Sequence, residues 1–174
     1  MLAAGHDTAA FEELVRRHQH VVRQWLLRIS GDRFHADDLA QDTFIKAWHA
    51  IGTCRDGSKF RQWLLRIAWH GFLQAIRRGK SRERVEEAFH AVNPDTGVWR
   101  DDQSAPEIER LLGILSVEER ACMLLNFSYG YSHGEISAML SLPLGTVKSH
   151  IRRSIRAIRD HFSIQDKVTL DETG

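Results

Sequence analysis

The stretch from Ser132 to Arg159 reads SHGEISAMLSLPLGTVKSHIRRSIRAIR, and it decides the fold. Ser132 followed by Glu135 three residues on is a capping box: the hydroxyl takes a backbone N–H of the first turn and the carboxylate reaches back to the N–H of the cap. A short helix with Ile136, Met139 and Leu140 follows. Ser141-Leu142-Pro143 breaks it, because proline lacks a backbone N–H and pushes the residue before it out of the α region. A final helix then turns Val147, Ile151, Ile155 and Ile158 inward and carries Lys148, Ser149, Arg152, Arg153 and Arg156 on the opposite side. Helix, short break, helix is the helix-turn-helix arrangement. A second helix of this charge fits the major groove, where Arg and Lys reach guanine edges and phosphates. Short helix pairs with a basic outer face also occur without DNA binding.

Upstream, Ser116 and Glu119 form another capping box and open a helix with Leu124 and Leu125. Before it, Pro106 suits a helix start, and Ile108, Leu111, Leu112 and Leu115 form an apolar stripe. Residues 107–162 are therefore expected to form one small helical domain, with 163–174 as a tail. Residues 81–106 read as an interdomain linker. Asn93-Pro94-Asp95-Thr96-Gly97 is turn chemistry, and Arg82 to Val92 has at most a helical turn or two.

The N-terminal part, residues 1–80, repeats the helical pattern. Asp7 is a suitable N-cap, and Phe11, Leu14, Val15, His18, Val22, Trp25, Leu26 and Ile29 follow at spacings of three and four. That helix stops near Ser30-Gly31-Asp32. A second helix, about Ala36 to Ile51, has an apolar face of Phe44, Ala47, Trp48 and Ile51. Asp38, Gln41 and Asp42, at i, i+3, i+4, project together from its polar face. Asp37 and Asp38 sit where a first helical turn favours acids. After a polar loop from Gly52 to Ser58, a third helix from about Lys59 to Arg78 buries Trp63, Leu64, Ile67, Ala68, Phe72 and Ile76 and leaves Trp69 exposed. The fold class is all-α: two small helical domains on a flexible linker.

Net charge is only +1, but its distribution is uneven. Lys59, Arg61, Arg66, Arg77, Arg78, Lys80, Arg82 and Arg84 face one acid, Glu83; Lys148, Arg152, Arg153, Arg156 and Arg159 face none. Two basic stretches suggest two polyanion contacts, although solvated helix faces would look the same. Basic charge interleaved with aromatic rings, as on the third helix, is how proteins hold single-stranded DNA. Cys54 and Cys122 make no CxxC and read as reduced thiols. The start of the chain lacks the basic and apolar segments of a signal peptide, so a cytoplasmic location is expected. Ten scattered histidines and the acids Asp37, Asp38 and Asp42 lack metal-ligand spacing, and no catalytic motif is present. No enzyme, metal or cofactor is expected.

Taken in order, these segments resemble the extracytoplasmic-function (ECF) sigma factors over nearly the whole chain. Residues 37–48 resemble region 2.2, residues 60–68 with Ile76-Arg77-Arg78 resemble regions 2.3 and 2.4, and Glu135-Ile136-Ser137 with residues 145–149 resemble region 4.2. The resemblance implies a transcription factor that binds bacterial core RNA polymerase and promoter DNA and takes no small-molecule substrate. It implies that Asp38, Gln41 and Asp42 dock on the polymerase. It implies that the Gly52–Lys59 loop helps capture a flipped −10 base. Lys59, Arg61, Arg66, Trp69, His70, Arg77 and Arg78 would hold the melted −10 strand. Thr146, Lys148, Ser149, Arg152, Arg153 and Arg156 would read the −35 duplex. It also implies an anti-sigma factor, often membrane-anchored. The chain departs from the family pattern at His70, Gln74, His150, Ser154 and Ile155. Two rivals remain on sequence alone: a stand-alone helix-turn-helix regulator, which would bind duplex tightly without polymerase, and a small helical hydrolase using the acidic cluster and the scattered histidines, whose metal-dependent turnover would be abolished at Asp38 or Asp42.

Overall fold

A computed structural model describes residues 7–87 and 107–171, and the side chains within them apart from those of 33–34, 80–87, 109 and 163–171. The Asn93–Gly97 turn and Pro106 lie outside the described residues. The chain divides into two compact units, one within residues 1–98 and one within 99–174. Every regular element among the described residues is helical.

In the first unit α1 spans Thr8–Ser30. The Asp7 carboxylate accepts from Ala10 N at 3.1 Å, and Gly31 closes the helix at φ 77°, a left-handed position that glycine adopts without a steric penalty. Val22, Trp25, Leu26 and Ile29 form its buried stripe. Helix α2 spans Arg33–Ala50, one turn earlier at its start than the residue pattern predicts. Asp32 explains this: its carboxylate accepts from His35 N at 3.1 Å and caps the helix. Asp37 therefore lies beyond the first turn, and both of its oxygens engage Arg23 of α1. The buried face of α2 is Ala36, Leu39, Ala40, Thr43 and Ala47, whereas Phe44, Trp48 and Ile51 are half-buried. Thr43 stays inside because its hydroxyl donates to Leu39 O at 2.7 Å.

The loop after α2 carries two single 3₁₀ turns, Ile51–Thr53 and Gly57–Lys59. Helix α3 spans Phe60–Glu87 and so continues well past Arg78, where a linker was expected. Its buried residues are Phe60, Leu64, Leu65, Ala68, Trp69 and Phe72. This corrects the expectation for Trp69: it is 1% exposed, and its ring lies 6.2 Å from that of Trp25 and 6.0 Å from that of Phe72. Trp63, placed in the core by its spacing, is half-buried instead.

In the second unit α4 spans Glu107–Gly113 and buries Leu112 just ahead of the buried Leu115, while Ile108 is exposed, contrary to its place in the apolar stripe. Helix α5 spans Val117–Met123 and runs into a π turn at Leu124–Ser128. Helix α6 spans His133–Leu140, and α7 spans Leu144–Asp171, so the segment expected to be a tail continues as helix. Both capping boxes form. Between α6 and α7, Ser141 takes a left-handed φ of 56°, and Ser137 secures the turn by donating its hydroxyl to Leu142 O. Val147, Ile151 and Ser154 are the buried residues of α7, while Ile155 is exposed and Ile158 half-buried. Ile155 was expected inside. Positions 147, 151, 154 and 158 follow the 3.6-residue period, so Ser154 takes the inner position and satisfies its hydroxyl on His150 O at 2.9 Å.

Candidate nucleic-acid interface

The polar face of α2 is built as its spacing requires. Asp38, Gln41 and Asp42 are all exposed, and the next position on the same face is Ile45, 57% exposed. A carboxylate-rich face with one large apolar side chain is suited to a basic partner surface that also offers an apolar contact.

On α3 the buried residues Leu64, Leu65, Ala68, Trp69 and Phe72 occupy one side. Trp63, Arg66, Ile67, His70 and Gln74 share the other, at spacings of three and four. With Lys46 and Thr53 they line an open groove of about 460 Å³. Thr53 pins the groove wall by accepting from the Trp63 indole N–H at 3.2 Å while donating to Ala50 O at 2.7 Å. Gly71 also lines the groove beside Lys46. Burial, with the nearby Arg66 charge, lowers the His70 pKa and favours the neutral ring. The groove thus combines two cations, a neutral imidazole, an amide and an accessible indole face. That set can hold a phosphate backbone and stack a base.

The structure brings together Arg66 and His70 from the residues expected at a melted strand. Lys46, Trp63 and Gln74 were missed. Arg61 lies elsewhere, toward His18 of α1, whose pKa is lowered by burial and by the Arg61 and Arg17 charges. Lys59, Arg77 and Arg78 are exposed. Trp69 is core and cannot stack on a base while the helices stay packed. Near Lys59, Asp56 accepts from Ser58 N and Ser58 Oγ at 2.9 and 2.6 Å, which lowers its carboxyl pKa and orders the second 3₁₀ turn.

In the second unit Lys148, Arg152, Arg153 and Arg156 are exposed on α7, with Arg159 continuing the row. A shallow groove of about 500 Å³ is lined by Lys148, Arg152, Ile155, Arg156, Arg159 and the carboxylate of Asp160 on α7, and by His133 of α6. Thr146 and Ser149 are half-buried, and the Ser149 hydroxyl donates to Gly145 O at 2.9 Å. Arg153 differs from its neighbours: its Nε is ion-paired with Glu119 Oε1 of α5 at 3.0 Å, and its Nη2 lies 3.0 Å from His150 Nδ1. Burial pushes the Glu119 carboxyl pKa up, but hydrogen bonds from Ser116 and the Arg153 charge outweigh it and leave the pKa lowered. Among the described residues no three His, Cys, Asp or Glu side chains come together as a metal site would need, and no helix is long and apolar enough to cross a membrane.

Comparisons with known proteins agree with this geometry. The Sigma-70 region 2 family matches residues 14–82, and the Sigma-70, region 4 family matches residues 106–158. The RNA polymerase sigma-H factor of Pseudomonas aeruginosa is 32% identical over 166 residues, covering 87% of this chain and 86% of that protein. The ECF RNA polymerase sigma factor SigE of Mycolicibacterium smegmatis is 34% identical over 170 residues, covering 92% of this chain. The match spans 65% of SigE, so the chain aligns with somewhat less than two thirds of that relative. Among solved structures, CnrH in complex with the cytosolic domain of CnrY aligns with a TM-score of 0.63 at 26% identity, over 91% of this chain and 90% of that one. On the strength of both matched regions and of relatives aligned through both units, the chain belongs to the ECF family of RNA polymerase sigma factors.

Proposed function

We propose that this chain is a transcription initiation factor that gives bacterial core RNA polymerase its promoter specificity. Residues 1–80 dock on the core enzyme through Asp38, Gln41 and Asp42, with Ile45 as the apolar centre of the patch. The groove of Lys46, Trp63, Arg66, His70 and Gln74 receives the melted −10 strand, and Lys59, Arg77 and Arg78 extend the cationic track. Trp63 takes the stacking role expected of Trp69. Residues 107–162 read the −35 duplex through α7, with Lys148, Arg152 and Arg156 facing DNA and Thr146 and Ser149 at its N-terminal end. The residues between link the two. The observation that carries this reading is the division of labour on α7: Val147, Ile151 and Ser154 are buried while the cations at 148, 152, 153 and 156 are exposed. A helix so divided packs on its own domain and presents its charge outward.

An anti-sigma factor is the expected regulator. The exposed faces of α2 and α7 offer such a partner the surfaces that polymerase and DNA need, and CnrH is known in complex with a protein partner, the cytosolic domain of CnrY. The expected site of action is the cytoplasm, with no catalytic step of the chain's own.

Run-off transcription with purified bacterial core polymerase, with and without this chain, on a library of random promoter sequences tests the reading. Chain-dependent transcripts that share two upstream elements support it. A folded chain that yields no transcripts with an active core, yet selects a duplex sequence alone, would make it a stand-alone regulator.

A further inference from the structure

Among the exposed cations of α7, Arg153 is held by side chains of its own domain. Arg153 is 62% exposed at its side chain, yet its Nε is ion-paired with Glu119 Oε1 at 3.0 Å and its Nη2 sits 3.0 Å from His150 Nδ1. Glu119 is itself fixed. Its Oε2 accepts from Ser116 N at 3.2 Å, and its own N–H donates to Ser116 Oγ at 3.3 Å. One carboxylate therefore closes the N-terminus of α5 with one oxygen and holds an arginine of α7 with the other. His150 lies between them, its Nδ1 3.9 Å from Glu119 Oε1. An imidazole that accepts at Nδ1 carries its proton on Nε2, so Nη2 of Arg153 meets an acceptor while its Nε lies beside a carboxylate.

We infer that Glu119 and His150 are positioning residues that pre-orient Arg153 for base readout and make it the specificity-determining cation of α7. This rests on the reading of α7 as the −35 recognition helix and deepens it. A guanidinium has two edges that can make paired hydrogen bonds. Here the Nε/Nη2 side faces the Glu119 carboxylate and the His150 ring, which leaves the end edge, Nη1 with the second Nη2 hydrogen, for DNA. An ion pair and a hydrogen bond together restrict the rotamer freedom that a long side chain otherwise loses on binding. Glu119 also neutralises the Arg153 charge. A neutralised, oriented arginine gains little from an arbitrary phosphate and depends on matched acceptors such as guanine O6 and N7. Among the described residues no carboxylate is ion-paired with Lys148, Arg152 or Arg156 as Glu119 is with Arg153, and these three supply the sequence-independent attraction.

The test separates orientation from folding. Glu119→Gln keeps a side-chain acceptor for Ser116 N, as capping boxes accept either residue, but removes the charge that holds Arg153. His150→Asn keeps an acceptor at about the place of Nδ1, and His150→Ala removes it. The full chain of each variant, with core polymerase, is assayed on the random promoter library, alongside Arg153→Ala and thermal melts. The expected result is that Glu119→Gln and His150→Ala relax the preference at the same −35 base pair that Arg153→Ala relaxes, about three- to tenfold, while His150→Asn retains it. Glu119→Gln also steepens the salt dependence of non-specific duplex binding, by up to about one counterion, because it frees a charge. A Glu119→Gln variant that melts like wild type and keeps full preference at that pair overturns the positioning role while leaving Arg153 a base reader. Unchanged preference in Arg153→Ala itself overturns the assignment of Arg153 to DNA, and the inference with it.

Discussion

The indole rings of Trp25 and Trp69 lie 6.2 Å apart at 54°, one on α1 and one on α3, and both are fully shielded from solvent. Neither indole N–H has a hydrogen-bond partner among the described residues. The pair therefore contributes through packing alone, and each unmet donor offsets part of that gain. Trp69→Ala is expected to destabilise the first unit by about 3–5 kcal/mol, while Trp69→Phe costs less because it also removes an unmet donor. Trp63→Ala is expected to destabilise less than Trp69→Ala, because Trp63 is only half-buried, and to slow promoter opening, since a base stack is worth about 1–3 kcal/mol. Chemical denaturation alongside opening kinetics checks both. Slow opening in Trp69→Phe with normal opening in Trp63→Ala would reverse the assignment.

Asp42 is exposed on α2, on the face it shares with Asp38 and Ile45. Asp42→Arg is expected to weaken binding to core polymerase about tenfold or more, as a reversed charge meets the basic partner surface. Its circular dichroism spectrum and melting should match wild type. A melted variant would assign the residue to the fold instead.

Arg120 is 6% exposed, and its guanidinium donates to Leu112 O at 2.9 Å and Leu115 O at 3.1 Å. It satisfies carbonyls around the end of α4, where a cation is also favoured by the helix dipole. Burial lowers its pKa but leaves it far above neutrality. Arg120→Met keeps most of the volume and strands those carbonyls, so a loss of about 2–3 kcal/mol is expected by denaturant titration. A neutral effect would mean that water replaces the guanidinium.

Burial pushes the Cys122 thiol up to about 12, with the charges of Glu118 and Glu119 adding to the effect. The folded state thus favours the protonated thiol. Its contribution to stability is complete below the ordinary thiol range and is lost as pH rises from there toward about 12. Cys122→Val should therefore lose less stability than wild type over that alkaline window, which equilibrium unfolding at stepped pH measures. At neutral pH a thiol reagent should label the half-buried Cys54 first and reach Cys122 only on unfolding. Equal labelling of both in the folded chain would contradict this.

Much was determined by local sequence. Asp7 and Gly31 bound α1 because a short carboxylate side chain and a glycine do at helix ends what few other residues can. Ser116 with Glu119 and Ser132 with Glu135 start α5 and α6 where their spacing says. The exposed face of Asp38, Gln41 and Asp42 and the cationic row of α7 follow from the helical period alone. Those signals span one or two turns, so a single stretch of sequence contains them whole.

What only tertiary structure decided was which side of each stripe meets a neighbour. On α3 the tryptophans at 63 and 69 are six residues apart and lie on opposite sides, and only the position of α1 makes Trp69 the buried one. On α7 Ser154 displaces Ile155 from the interior because the facing helices set the seam, not residue polarity, and a hydroxyl can meet its need on its own helix. Helix α3 runs beyond Arg78 although the apolar pattern fades there. The Glu119–Arg153 contact joins residues that lie far apart in the chain, and nothing local announces it. Sequence fixes which side chains share a face through a period of a few residues; partners across helices depend on how those faces dock, and no short period encodes that.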